Sequence, residues 1–282
     1  MKRVDPAPLR CPCSGACFKR VFAYDAPPTG EIRFQFSAKG DYRREILQCV
    51  ICEHFVSIHE MDAAALYEGD YVSSNYADER GLAGNFDRIN SLPPKKSDNV
   101  QRVRRILAFA GEHFPVVAAG SPPRSILDVG SGLGVFLHRM KAAGWDCTAL
   151  DPDPRAARHA EQRVGIRAVC GDFLRVQDLG VYDVVTFNKV LEHVQDPVQL
   201  LAKSRTHLNP AGFVYVEVPD GQVACTKGPD REEFFIDHWH VFSDMSLAAM
   251  ATRSGFLVKG LERLCEPSGK YTLSAFLVPA SR

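Results

Sequence analysis

From Ser125 onward, short apolar runs alternate with stretches whose apolar residues recur at helical spacing. The runs at 125–129, 147–151, 166–170, 182–187, 212–218, 256–262 and 271–278 predict strands. Stretches 133–143, 154–163, 197–207 and 245–254 predict helices. Strands alternating with helices imply parallel strands joined by crossovers, with helices covering both faces of one sheet. The last two runs lack a helix between them. Glu266, Pro267, Ser268 and Gly269 lie there instead, which predicts an antiparallel hairpin. The expected fold class is therefore α/β, a doubly wound and mostly parallel seven-stranded sheet. Upstream, Val100, Val103, Ile106, Leu107, Ala110 and Phe114 recur as one helix face, with Asp98 or Asn99 as its cap. Gly120 and Pro122-Pro123 then punctuate the chain. Ile32 to Phe36 alternates like a strand. Three regions follow: a small module at 1–60, a helical linker or cap at 61–120, and the main α/β domain at 121–282. No internal repeat or low-complexity segment interrupts them.

Composition narrows the function. The 282 residues are 45% hydrophobic and 24% charged, enough apolar material for a real core. Lys plus Arg equals Asp plus Glu at 34 each, so no global basic field favours nucleic acid or anionic lipid. Asp5, Pro6 and Pro8 stand where a signal peptide needs an apolar run. No stretch approaches the roughly 20 apolar residues of a membrane span. The expectation is a soluble, cytoplasmic protein.

The nine cysteines are unevenly spread. Cys147, Cys170, Cys225 and Cys265 are scattered and read as small hydrophobes. Cys11, Cys13, Cys17, Cys49 and Cys52 cluster in the first region. In a reducing compartment such a cluster suggests metal rather than disulfides. Cys49-Val50-Ile51-Cys52 is a CxxC, a spacing that lets two thiolates hold one tetrahedral ion. Its partner pair is either Cys11 with Cys13 or Cys13 with Cys17, and His54 and His59 are spare ligands. Four thiolates on zinc leave no open position for water, so the expected role is structural.

The strand 125–129 delivers Asp128 near its end, and Gly130, Gly132 and Gly134 follow before a helix. Glycines let backbone turn sharply and approach a ligand, and ligands of open sheets bind at the carboxyl ends of strands. Alone, this pattern is a weak signal. The companions arrive in order. The second strand ends in Asp151, about 20 residues on, where a carboxylate can hold a ribose diol. The third ends in Asp172 and Phe173, suited to an adenine amine and ring. The fourth ends in Asn188, followed by VLEHVQDPVQLL. No basic residue stands near the turn to suit a pyrophosphate.

The run from Ser125 to about Pro219 resembles the class I S-adenosylmethionine-dependent methyltransferases, with their Rossmann-like sheet. The resemblance implies that Asp128, Gly130 and Gly132 line the methionine part of the cofactor and that Asp151 holds the ribose. It also implies Asp172 and Phe173 at the adenine, and Asn188 beneath the methionine and sulfonium. A cysteine knuckle ahead of such a domain resembles bacterial sugar methyltransferases, some acting on nucleotide-linked deoxysugars. That group carries a tyrosine-bearing segment after the knuckle, where Tyr67, Tyr71 and Tyr76 stand here. Tyr71 or Tyr76 would close over cofactor or substrate, although ordinary packing is the plainer account.

A hydroxyl or carbon acid must lose its proton on methylation, and histidine is the usual base near neutral pH. His193 follows the fourth strand, and Asp237-His238 follows the fifth. By resemblance His238 falls on the sugar C-methyltransferases' base, Asp237 on its acidic neighbour, and His193 on a second active-site histidine. Phe235 stands where that group has tyrosine, and no counterpart of that group's extra C-terminal domain is expected after the last strand. Oxygen is therefore at least as good an acceptor as carbon. The expected reaction is methyl transfer to a small polar acceptor, a sugar or a glycan or natural-product precursor, with His238 as general base. Two alternatives stand beside it: an RNA base methyltransferase that binds RNA through the zinc module, and an inactive binding protein on the same fold.

Overall fold

A computed structural model describes residues 9–31, 42–59, 79–116 and 120–280. The strand expected at 32–36, and Tyr67, Tyr71 and Tyr76, lie outside those residues. The chain begins with β1 (Phe18–Tyr24), β2 (Arg44–Cys49) and β3 (Phe55–His59), then α1 (Glu79–Asn90) and α2 (Asp98–His113). Next come β4 (Ser125–Val129), α3 (Val135–Ala142), β5 (Asp146–Asp151), α4 (Pro154–His159), β6 (Arg167–Cys170) and β7 (Tyr182–Asn188). After α5 (Pro197–Lys203) and β8 (Leu208–Pro219) come α6 (Gly221–Cys225), β9 (His240–Val241) and α7 (Asp244–Arg253). The hairpin β10 (Phe256–Cys265) and β11 (Tyr271–Pro279) completes the order.

Seven strands form one sheet in the order β10-β11-β8-β7-β4-β5-β6. β4 to β8 run parallel, while β11 lies antiparallel to both β8 and β10. The buried strands are near-continuous apolar runs because both faces are covered. Neighbours along a strand serve opposite faces. Ile126 packs with Ile106, Phe136 and Met140 under α2 and α3. Leu127 packs with Leu200, Leu247 and Met250 under α5 and α7. Strand order reverses direction at β4, between β5 and β7, and an open α/β sheet has its ligand crevice at such a switch point.

Helix starts follow local chemistry. Asp153 and Asp196 cap α4 and α5, each with proline at the first turn. Ser243 and Ser246 form a capping box on α7. At α2 the cap is Ser97, which accepts from Val100 N, one residue before the expected Asp98. The expected helices 154–163 and 197–207 are α-helical only to His159 and Lys203, and each finishes in a differently wound turn.

A second sheet, β1-β2-β3-β9, is antiparallel. Its fourth strand comes from the stretch between β8 and α7. Phe55 pairs with Val241, and Val56 with His240. The preceding stretch is tied down as well. Arg44 makes a buried ion pair with Glu31 at 3.0 Å and donates to the Phe234 carbonyl, while Glu31 accepts from Ile236 N at 2.7 Å. Ser57 N donates to the Trp239 carbonyl at 3.0 Å. Segment 234–241 is thereby held by the small sheet. Among the described residues, no helix is long and apolar enough to cross a membrane.

Candidate active site

Two features converge on the carboxyl edge of the large sheet. The first is the glycine turn after β4. Gly130, Gly132 and Gly134 have φ of 71°, 50° and 67°, the left-handed region that glycine adopts without strain. A Cβ on Gly130 would come within 2.6 Å of Val190, whereas the side of Gly132 is open. Gly132 N donates to Asp151 Oδ2 at 2.8 Å, so β5 fixes the turn. Asp128 is buried and accepts from Thr186 Oγ1 at 2.6 Å and Asn188 Nδ2 at 2.8 Å, both on Oδ1. Asn188 Oδ1 is buried and has no hydrogen-bond partner among the described residues. An open glycine side, an unpartnered amide oxygen and two carboxylates suit the ammonium and ribose hydroxyls of S-adenosylmethionine. Asp172 is exposed at the end of β6, where its Oδ1 accepts from Leu174 N at 2.9 Å. Phe173 turns into the core, with its ring 5.8 Å from Phe187 and 5.3 Å from His207.

Burial pushes the Asp128 carboxyl up to about 7, against the hydrogen bonds from Thr186 and Asn188. An acid whose folded pKa is raised costs stability as pH climbs from its unfolded value, about 4, towards 7. A cation beside it reverses that preference. Cofactor binding through an ammonium therefore requires the ionised form. S-adenosylhomocysteine affinity should fall about tenfold from pH 8 to pH 6, with proton release on binding at the lower pH. Calorimetry at both pH values tests this, and Asp128→Asn should flatten the dependence.

The second feature is a cavity of about 310 Å³ lined by Lys189, Glu192, His193, Phe235, His238 and Tyr271 among others. The His193 and His238 rings lie 4.9 Å apart. His193 Nδ1 donates to the Asp237 carbonyl at 2.8 Å, and His238 Nδ1 donates to the Glu233 carbonyl at 2.8 Å. Each imidazole is thus held as the tautomer whose Nε2 carries a lone pair. Burial holds His238 below its ordinary value, despite the nearby Asp237 charge. Asp237 places its carboxylate by His193, with Oδ2 3.9 Å from Nδ1. Trp239 N donates to the Glu192 carbonyl at 2.8 Å, which zips the two histidine segments together.

Several participants were not singled out by pattern. Lys189 has φ of 62°, a strained value for a residue with a side chain, and donates to Thr272 Oγ1. Glu217, alone among apolar neighbours in VYVEVP, is fully buried. Arg102 and Arg105 pair with it, the latter at 2.8 Å. These charges hold the Glu217 carboxyl near 2 in spite of its burial. A lone charge in an apolar strand is the sequence signal that marks such a network, and it went unread here.

Away from this edge, Cys11, Cys13, Cys49 and Cys52 bring their sulfurs within 4.8 Å of one another. Cys11 Sγ lies 3.3 Å from that of Cys13 and 3.2 Å from that of Cys52, and Cys13 Sγ 3.7 Å from that of Cys49. Tetrahedral zinc with bonds of about 2.3 Å places sulfurs about 3.8 Å apart, so the donors fit such an ion. A Cβ on Gly15 would sit 2.9 Å from Cys49 Sγ, and Gly15 N donates to Cys13 Sγ at 3.3 Å. Cys17 is exposed and stands outside the four. His54 is committed elsewhere, to Ser246 Oγ at 3.1 Å and His240 at 2.9 Å, and His59 stacks on Trp239.

Residues 96–259 match the family model described as a methyltransferase domain. Ubiquinone biosynthesis O-methyltransferase of Acinetobacter baylyi is 32% identical over 106 residues, 35% of this chain and 44% of that protein. Its namesake in Bordetella avium is 33% identical over 111 residues, 37% of this chain and 46% of that one. The chain spans less than half the length of these curated relatives. Among solved structures, 1,6-didemethyltoxoflavin-N1-methyltransferase of Burkholderia thailandensis superposes with a TM-score of 0.57 at 19% identity, covering 82% of this chain and 98% of that one. Magnesium protoporphyrin IX methyltransferase of Synechocystis PCC 6803 gives 0.53 at 14%, covering 75% and 97%. At those identities the likeness concerns the fold alone. Because the family match spans more than half of its residues, the chain belongs to the methyltransferase-domain family, as a class I S-adenosylmethionine-dependent methyltransferase.

Proposed function

We propose that the protein methylates a hydroxyl of a small polar acceptor, a sugar or a glycan or natural-product precursor. The observation that carries this reading is the pair of imidazoles, each with Nδ1–H fixed by a backbone carbonyl, facing a cavity at the cofactor edge. S-adenosylmethionine supplies, when bound, a sulfonium methyl carbon open to in-line displacement. The chain's own work is alignment and proton removal. His238 Nε2 takes the acceptor's hydroxyl proton as the oxygen–carbon bond forms and the carbon–sulfur bond breaks. His193 and Asp237 flank His238 in the site, and Tyr76, by the family resemblance, would close over it. The polar lining, with Glu192, Lys189 and Tyr271, favours an acceptor rich in hydroxyl or amine groups. The oxygen-methylating relatives favour oxygen over carbon.

In this reading the four clustered cysteines hold one structural zinc. The chain then divides into a zinc region at 1–60, a helical linker or cap at 61–120 and the cofactor domain at 121–282. The zinc region's links to segment 234–241 give it a task at the active site: it holds the loop that carries His238. Nucleic acid is a poor acceptor because charge is balanced overall. Methyl-labelled S-adenosylmethionine offered with sugars, nucleotide-linked sugars, phenols and ribosomal RNA tests the assignment. Label in a sugar or phenol ether supports it, and label only in RNA overturns it.

A further inference from the structure

We propose that Glu192, His193 and His238 form a second metal site, separate from the cysteines, which takes a divalent transition ion and, when filled, silences His238 as a base. The silencing rests on His238 as proton acceptor; the ion binding does not. Each residue brings one donor atom, and the three lie within 4.8 Å of one another. Glu192 is 1% exposed, and neither carboxylate oxygen has a hydrogen-bond partner among the described residues. A buried carboxylate in that state is costly unless a cation or donor meets it. The cavity's lysines are engaged elsewhere: Lys189 with Thr272, and Lys270 with Glu232 at 3.3 Å.

The histidines are set up as ligands. A metal-bound imidazole usually donates its other nitrogen to a carbonyl or carboxylate, which fixes ring and tautomer. Both rings do so here, onto the carbonyls of Asp237 and Glu233. Two imidazoles and one carboxylate select zinc, cobalt, nickel or iron over magnesium or calcium. Three protein ligands leave a fourth position open to the cavity. Tetrahedral bonds of about 2.0–2.1 Å need donors about 3.4 Å apart, so donors within 4.8 Å of one another close by no more than about 1.4 Å on binding. The ion and the acceptor's proton compete for the same lone pair on His238.

Cobalt titration of the full-length protein, with its cysteine site zinc-loaded and S-adenosylhomocysteine present, tests the site. One further equivalent should bind with weak visible absorption and no thiolate-to-metal charge transfer. The ring N–H signals of His193 and His238 should broaden beyond detection. Glu192→Gln, which keeps the shape of the side chain, and His193→Ala should each weaken that equivalent at least tenfold. Unchanged S-adenosylhomocysteine binding in both variants shows that they fold. No equivalent beyond the thiolate-bound metal, or one that both variants retain, overturns the proposal. With turnover in hand, cobalt should inhibit and a chelator should reverse it without removing zinc. A filled site with unaltered turnover upholds the site and refutes His238 as the base.

Discussion

His238→Ala should lower kcat by about 10²–10⁴-fold, the usual loss on removing a positioned general base. Cofactor affinity should stay at the wild-type level, because the glycine turn, Asp151 and Asn188 belong to other segments. The variant loses one further contact, the bond from Nδ1 to the Glu233 carbonyl. His238→Gln separates the two effects. Its amide can still donate to that carbonyl but cannot take a proton at neutral pH. If proton removal is the role, both variants are equally slow. If the role is only to hold the loop, His238→Gln recovers most of the rate. Turnover at the wild-type level in His238→Ala would remove the base altogether.

Stripping metal from the cysteine cluster, or replacing Cys49 with serine, should unfold the small sheet and stop turnover while cofactor binding persists. Zinc contributes on the order of 10 kcal/mol or more to the folding of small thiolate domains. The β1–β3 sheet buries little apolar surface of its own: Tyr24, Ile46 and Phe55 pack with Phe234 and Val241 from the larger region. Loss of that sheet releases the anchors on Phe234, Ile236 and Val241, and with them the His238 loop. The large sheet keeps its two cores. Calorimetric melting should therefore show an early transition that appears only without metal. Elemental analysis should find about one zinc per chain. A metal-free protein with unchanged melting and turnover would contradict the account.

The large sheet was legible because its strands are buried on both faces. Ile126, Leu127, Val184, Val185, Val214 and Val216 form apolar runs that no surface element tolerates. The candidate cofactor edge could be proposed from the sequence for a related reason. Glycines and carboxylates recur at fixed distances from strand ends, and strand ends follow from the runs. Strand β9 was not legible. His240 and Val241 are two residues whose strand character exists only because β3 lies beside them. The choice among five cysteines was hidden too, since Cys13–Cys17 has the better knuckle spacing yet the fold turns Cys17 outward. Gly15 carried the missing signal, a residue without a side chain between two sulfurs. Phe173 illustrates the limit of position alone. It stands at the right strand end, but its ring is directed by the neighbouring Phe187 and His207. The pairing of Glu192 with two histidines also required the fold, because 45 residues separate His193 from His238.

The central claim is a methyl-donor site built by Asp128, the glycine turn, Asp151 and Asn188. Titration of the full-length protein with S-adenosylhomocysteine in a calorimeter tests it most directly. One molecule should bind per chain with saturable heat, and Asp151→Ala, which frees Gly132 N and the turn, should weaken it at least tenfold, by about 1.4 kcal/mol. No heat from the wild-type protein at millimolar ligand would contradict the account.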